Sequence, residues 1–467
     1  MNKKKIAIVG GGITGASAAY YLQKEINEKQ LPYEMKLVEA SDRLGGKIKT
    51  KRQEGFTIEQ GPDSLLARKP AALKLIKELG LEDSVIRNGT GQSYILVNNK
   101  LYKMPQGTFM GVPKQIRSLM YSKLLSGGGK RRALMELILP KQKKKEDQSL
   151  GGFLRRRFGN EIVDKQMDPL LSGIHSGDLD QMSLMATHAE FYQLEQQYGS
   201  LIKGLHKTKP EVKKKKDQSK TGAFISLLGG LETLVEKLYE KLDKNAVMLG
   251  RAVDHIEKKE QGYHLLLSSG EVLTADAVIM ATPHQKVPKI FSQYDFFRTL
   301  YDIPATSTAN VALAFDQSAI KKDVDGTGFL VSKTSDYRIT ACTWTHKKWP
   351  ETTPDGKVLL RSYVGKPNDQ EIVDLSDEEI EQIVLNDLKK IMKIKGQPEF
   401  SVITRWRHAR PQYNVGHLER VQSVRDKVSA NLPGVFLVGN SYDSVGIPDC
   451  INQGEKAVVD VLRFINE

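Results

Sequence analysis

A four-residue apolar run, Ile6-Ala7-Ile8-Val9, stops at Gly10 and passes through Gly10-x-Gly12-x-x-Gly15 into a helix-compatible stretch with Ala16, Ala19, Tyr20 and Leu22. The run is long enough for a buried strand and far too short to cross a membrane. In a strand–turn–helix of this kind the first glycine permits the tight turn. The second lets backbone approach a pyrophosphate, and the third lets helix and strand pack closely. The helix start at Ile13 and Thr14, just after Gly11 and Gly12, offers unpaired N–H groups and a positive dipole end to phosphates. Glycine-rich turns are common, but here the strand before and the helix after are both present, and together they predict a dinucleotide-binding α/β unit.

The next segment narrows the ligand. Glu34 to Ala40, "EMKLVEA", reads as a second strand and sets Glu39 24 positions after Gly15. A carboxylate at about that spacing suits a ribose 2′-OH and repels a 2′-phosphate, which disfavours NADP.

The 467 residues allow about three domains, and 39% apolar with 27% charged residues suits a globular protein with a large core. No run approaches the roughly 18 apolar residues of a membrane span. "MNKKK" before the first apolar run lacks a signal-peptide h-region and cleavage site, so a cytoplasmic protein is expected. Cys342 and Cys450 are too few for a disulfide scaffold or a thiolate metal site. The nine histidines form no HxxxH or HxH pair, so no metal is expected. Part of the net charge of +14 lies in two lysine runs, Lys141–Asp147 and Val212–Lys220. Neither carries interleaved aromatics, so solvated loops are expected rather than a nucleic-acid surface. A basic balance also suits an anionic small substrate or an acidic membrane surface.

Residues 70 to about 220 read as mostly helical, with Pro210–Lys220 as a closing loop. A new unit starts near Gly222 with an amphipathic helix carrying Leu231, Leu234, Val235 and Leu238. A β-meander follows, turning at Gln261-Gly262 and Ser269-Gly270, and ends in the buried strand Ala277–Ala281. Residues 290–400 mix strands with the helix "LSDEEIEQIVLNDLKKIM". The chain then closes as strand (Val435–Val438), loop (to Gly446-Ile447-Pro448) and helix. Pro448 fits a first helical turn, so a second positive helix end points at whatever that loop covers. Such an end can stabilise negative charge on the pyrimidine side of a reduced flavin. A nicotinamide domain has no need of this return, which favours FAD over NAD.

The Gly10–Gly15 turn, Glu39, Arg43-Leu44-Gly45-Gly46-Lys47, Gly61–Ser64, "ADAVIMATP" and "VGIPD" resemble the amine-oxidase-like FAD superfamily. Within it, "EQGPDSLLARK", "PLLSGIHSGD", "STANVALAF", "ITACTWTHKKWP" and "RPQYNVGH" look like the bacterial coproporphyrinogen III oxidase and protoporphyrinogen oxidase family, essentially end to end. The resemblance implies an α/β fold: a Rossmann-like FAD domain of p-hydroxybenzoate-hydroxylase type, a mixed-sheet substrate domain and a helical insert. Residues 1–60, 221–290 and 401–467 would form the first, 61–90, 190–220 and 291–400 the second, and 91–189 the insert. It further implies non-covalent FAD at Gly10, Gly11, Gly12, Ile13, Thr14, Gly15, Glu39, Ala40, Arg43, Gly46, Lys47, Gly61, Pro62, Asp63, Ser64, Val253, Trp406, Gly446, Ile447 and Pro448. Lys69, Ile174 and His175 would line the substrate pocket.

The implied reaction takes six electrons from coproporphyrinogen III and gives three H2O2 from three O2. The flavin carries the hydride step, so no side chain is nominated as a general base. Transient contact with the next haem-pathway enzyme is an implied partnership, and the insert leaves room for peripheral membrane contact. Gln60 stands where the resemblance expects arginine in "ERGPDS". The alternatives are a protoporphyrinogen IX oxidase, a flavin amine oxidase, a carotenoid-type desaturase and a non-redox binding protein on the same scaffold.

Overall fold

The computed structural model describes residues 3–89, 91–143, 146–208 and 223–467. The lysine stretch Val212–Lys220 and the middle of the run Lys141–Asp147 lie outside the described residues. The chain forms two compact units. One comprises Met1–Arg87, Ala223–Ile303 and Leu418–Glu467, and the other Asn88–Gly222 and Pro304–His417. These bounds put residues 61–87 in the unit of the glycine turn, and residues 401–417 in the other.

The first unit is built on a five-stranded parallel sheet. Its order is Val247–Met248, Tyr33–Val38, Lys4–Val9, Ala277–Met280 and Val435–Leu437. Ile6 to Val9 are buried without alternation because both faces of this central strand are covered. Ile6 and Ile8 pack under the helices Ile13–Lys29, Glu232–Lys241 and Ile447–Asn466. Ala7 and Val9 pack on the other side, among residues of the antiparallel meander Val253–Ala275 and of 287–303. The loops after Val9, Val38, Met280 and Leu437 therefore all leave the carboxyl edge of the sheet, where ligands of open α/β sheets bind.

The second unit holds a seven-stranded sheet in the order Phe400–Pro411, Ala305–Asp316, Lys357–Val364, Ala341–Trp344, Gly328–Val331, Tyr94–Val97 and Lys100–Lys103. All its pairs are antiparallel except Gly328–Val331 with Tyr94–Val97. The helix Asp377–Met392 covers one face, and its start is fixed by a reciprocal capping box between Ser376 and Glu379. Helices between Gly127 and Lys207 form a separate core with Ile95 and Val97. Inside it Arg157 is fully buried, 2.6 Å from Glu136 and 3.2 Å from Glu195.

The mostly helical reading of 70–220 is corrected at its start. Tyr94–Val97 and Lys100–Lys103 form a hairpin, and Thr108–Phe109 with Val112–Pro113 a second short ladder. The hairpin turns on Asn98 and Asn99, both in the left-handed region (φ 46° and 62°), as a two-residue turn of that hand requires. Tyr94–Val97 is buried at all four positions, so it lacks the alternation that marks a half-exposed strand.

Candidate functional site

The glycine turn explains itself atom by atom. Gly10 has φ +103°, closed to ordinary side chains, and donates its N–H to Val38 O at 2.8 Å. A Cβ on Gly15 would lie 1.9 Å from Gly10 O, so only glycine lets the helix start against the strand end. Gly12 is different: a Cβ there meets nothing within 4 Å, and its φ of −62° is open to any residue. Sterics inside the chain do not require glycine at 12. The helix Ile13–Lys29 begins there with no side-chain cap. Open space before an uncapped helix N-terminus is the cradle a pyrophosphate needs.

Glu39 sits at this cradle. One carboxylate oxygen accepts from Gly11 N at 2.6 Å, and the other from Ser41 N at 2.8 Å and Ser41 Oγ at 2.7 Å. Backbone bonds from Glu39 N to Met248 O and from Arg251 N to Glu39 O tie the loop at Ala40 to the segment leading into Val253. The structure thus brings Gly10–Gly15, Glu39, Ala40 and the approach to Val253 together. Arg43 is committed elsewhere. Its guanidinium donates to Leu44 O at 2.5 Å and Ile48 O at 2.7 Å, and lies 3.5 Å from Glu232, bracing the loop that carries Gly46 and Lys47. Glu59, 6% exposed, accepts from Thr50 Oγ1 at 2.9 Å and Leu231 N at 2.6 Å, which anchors the chain entering Gly61-Pro62-Asp63-Ser64.

The closing helix Ile447–Asn466 starts at Gly446 without a side-chain cap and with Pro448 in its first turn. Asp449 follows, accepting from Ser444 Oγ at 2.6 Å and from Lys69 Nζ at 2.5 Å. Lys69, expected at a substrate mouth, therefore has a carboxylate partner in the first turn of this helix. Cys450 is buried, and that burial pushes its thiol up to about 11. Ile174 and His175 end the helix Asp168–His175 in the second unit, Ile174 being 38% exposed. Burial, then the neighbouring His188 and the Arg410 charge, push the His175 imidazole down to about 3. Trp406 lies half-buried on Phe400–Pro411 of the same unit.

Sequence reasoning missed three supports of the first unit. Gly454 lies inside the closing helix, where a Cβ would come 2.5 Å from Thr14 O and 3.0 Å from Ala18 N. An isolated glycine in a helical pattern was the available signal. Gln453 accepts from Gly439 N at 2.9 Å and so ties this helix to the loop after the edge strand. His284, 1% exposed, has Nε2 2.9 Å from Ile303 O and Nδ1 3.0 Å from Ser441 Oγ. Only a donor satisfies the carbonyl, so Nε2 carries the proton and Nδ1 accepts from Ser441. It braces the loops after two adjacent strands. Among the described residues no group of His, Cys, Asp or Glu is arranged to hold a metal ion, and no helix is long and apolar enough to cross a membrane.

The model of the flavin containing amine oxidoreductases matches residues 13–462. The chain belongs to that family. The coproporphyrinogen III oxidase of Bacillus subtilis strain 168 is 49% identical over 99% of both chains. That of Staphylococcus aureus is 40% identical over 98% of this chain and 99% of its own. Plant proteins named protoporphyrinogen oxidase, from tobacco, Arabidopsis and spinach, stand further off at 26–28%. A crystal structure from Exiguobacterium sp. 255-15 superposes with a TM-score of 0.88 at 36% identity, covering all of both chains. The α/β fold expected from the sequence is the fold of this family. The open cradle at Gly12, the uncapped helix and the Glu39 carboxylate fit the phosphate and ribose of a flavin dinucleotide.

Proposed function

We propose that the chain is an FAD-dependent oxidase that converts coproporphyrinogen III to coproporphyrin III in haem biosynthesis. The observation that carries this reading is full-length identity of 49% to a named coproporphyrinogen III oxidase, set against 26–28% for the plant protoporphyrinogen oxidases. FAD, when bound, supplies the two-electron acceptor chemistry, and three O2 leave as three H2O2 per porphyrin.

The chain's own residues have separate tasks. Gly10–Gly15 would hold the pyrophosphate on backbone N–H groups, and Glu39 the ribose hydroxyls. The Val253 segment would hold the adenine, and Lys47, Gly61–Ser64, Trp406 and Gly446–Pro448 the ring end. The positive end of the closing helix would stabilise negative charge there. Lys69, Ile174 and His175 would line the substrate side, with Lys69 steered by Asp449.

Binding of FAD is non-covalent in this reading. Cys450 is buried with a poorly acidic thiol, which does not favour a tether. The site of action is the cytoplasm, with transient hand-over of product to the next pathway enzyme. Acid denaturation and filtration test the cofactor: all flavin should pass the membrane as FAD, and flavin retained on the chain refutes it. Counting H2O2 tests the reaction, with three per coproporphyrin III expected and one contradicting it.

A further inference from the structure

The seven-stranded sheet has two faces of different chemistry. Along Ala305–Asp316, the residues Ala309, Val311, Leu313 and Phe315 enter the core shared with the helix Asp377–Met392. Alternate positions, Thr306, Thr308, Asn310 and Ala312, point to the opposite face. Directly paired residues share a face, so Arg410 (opposite Thr306), Trp406 (opposite Thr308), Tyr363 (opposite Asn310) and Arg361 (opposite Ala312) stand on it too. None of these eight positions is an aspartate or glutamate.

Three arginines on or next to this sheet pair with acids. Arg405 pairs with Asp377, Arg407 reaches Asp374 at 2.9 Å, and Arg338 reaches Asp369 at 2.7 Å. Arg410 is not served in this way. Among the described residues the groups acting on its charge are Tyr363 and a second cation, Arg361. Arg361 is 1% exposed; its Nε donates to the neutral Asn310 amide oxygen at 3.3 Å, and its guanidinium lies 5.3 Å from the Tyr363 ring centre. Burial, and then Arg361, lower the proton affinity of Arg410. Arg410 in turn lowers that of His175. The two guanidinium groups stand on a stretch of this face whose eight named positions carry no acid, and there an arriving anion would offset their desolvation and mutual repulsion. A planar fork matches a carboxylate in two parallel hydrogen bonds.

We infer that Arg410, supported by Arg361, receives a carboxylate of the substrate. The assignment rests on the porphyrinogen reading above and names a group within it that would hold a substrate carboxylate.

The test uses Arg410→Met and Arg410→Lys in the full-length protein with FAD bound. Coproporphyrin III, the air-stable product, serves as the binding probe, and KM and kcat are measured for coproporphyrinogen III. The methionine variant should raise the coproporphyrin Kd and the KM about ten-fold, with kcat within two-fold, as loss of uniform binding does. Its substrate-free Tm should hold or rise, because a half-buried charge with no acid beside it has gone. The lysine variant, which keeps the charge without the fork, should fall between, at two- to five-fold, and it carries the test should the methionine variant not fold. Kd and KM within two-fold of wild type in both variants overturn the assignment, as does a lower Tm with Kd unchanged. A wild type that oxidises no coproporphyrinogen refutes the proposed function instead, and the coproporphyrin titration still decides Arg410.

Discussion

Gly12 and Gly15 separate what the fold needs from what the ligand needs. A side chain at Gly15 collides with Gly10 O, whereas one at Gly12 enters open space. Gly12→Val should therefore leave the Tm of flavin-free protein within about 1 °C while flavin content falls at least ten-fold. Gly15→Ala should lower both. Normal flavin loading in the valine variant would place the ligand elsewhere. His175 gives a pH test. Its folded value near 3 lies below the unfolded value near 6.5, so it costs nothing above pH 6.5. As pH falls from 6.5 toward 3, the unfolded chain takes up a proton that the folded one refuses. Stability then drops by at most about 1.4 kcal/mol per pH unit. His175→Gln should flatten the fall in denaturation midpoint between pH 7 and 5, and an unchanged slope contradicts an imidazole held neutral in the folded chain. At this scale the sequence marked Glu39 and the three glycines because their spacing is dictated by backbone geometry and phosphate size. Arg410 was invisible, because its role depends on which face of a sheet it occupies and on which residues the neighbouring strands set beside it. Register decides that, and spacing along one strand does not.

The decisive elements are two helices meeting the carboxyl edge of the parallel sheet. Their crossing depends on Gly454, since a methyl group there would press on Thr14 O. Gly454→Ala should destabilise the protein by about 1–3 kcal/mol, read as a lower Tm, and should weaken flavin retention in parallel. Loss of stability without loss of flavin would uncouple the crossing from the cradle. Lys69 and Asp449 join the start of the helix Pro70–Glu78 to the closing helix. Both side chains are roughly a third exposed or less, so the pair contributes only about 0.2–1 kcal/mol. Lys69→Ala should accordingly raise KM for the porphyrinogen no more than about five-fold, and Asp449→Asn should have an effect of similar size. A fifty-fold change in kcat would mean that Lys69 acts on the reacting atoms. Both ends of this αβ framework were legible in the sequence, since each shows a short apolar run, a glycine-containing loop and an amphipathic helix. The hairpin Tyr94–Lys103 was not. A strand covered on both faces has no period-two pattern, and the Asn98-Asn99 turn was the one local signal it left.

For the whole molecule, the strand Ala277–Met280 and the closing strand repeat the character of the first, and the three lie in one parallel sheet. Residues 61–87 carry helix Pro70–Glu78 into the core of the first unit, a long-range packing that no local pattern announces. The net charge of +14 attracts a tetra-anionic substrate over long distances, an effect that salt screens. Neutralising Lys213–Lys216 should leave turnover within a few-fold. An activity loss that high salt reproduces in the wild type would instead assign them to substrate capture. The central claim is that the bound flavin takes electrons from coproporphyrinogen III in preference to protoporphyrinogen IX. Anaerobic stopped-flow mixing of the purified protein with each porphyrinogen, followed by flavin absorbance, measures this directly. The account predicts that coproporphyrinogen III bleaches the flavin within the turnover time, with a second-order rate constant at least ten-fold above that for protoporphyrinogen IX. A flavin that stays oxidised, or equal or faster reduction by protoporphyrinogen IX, would contradict it.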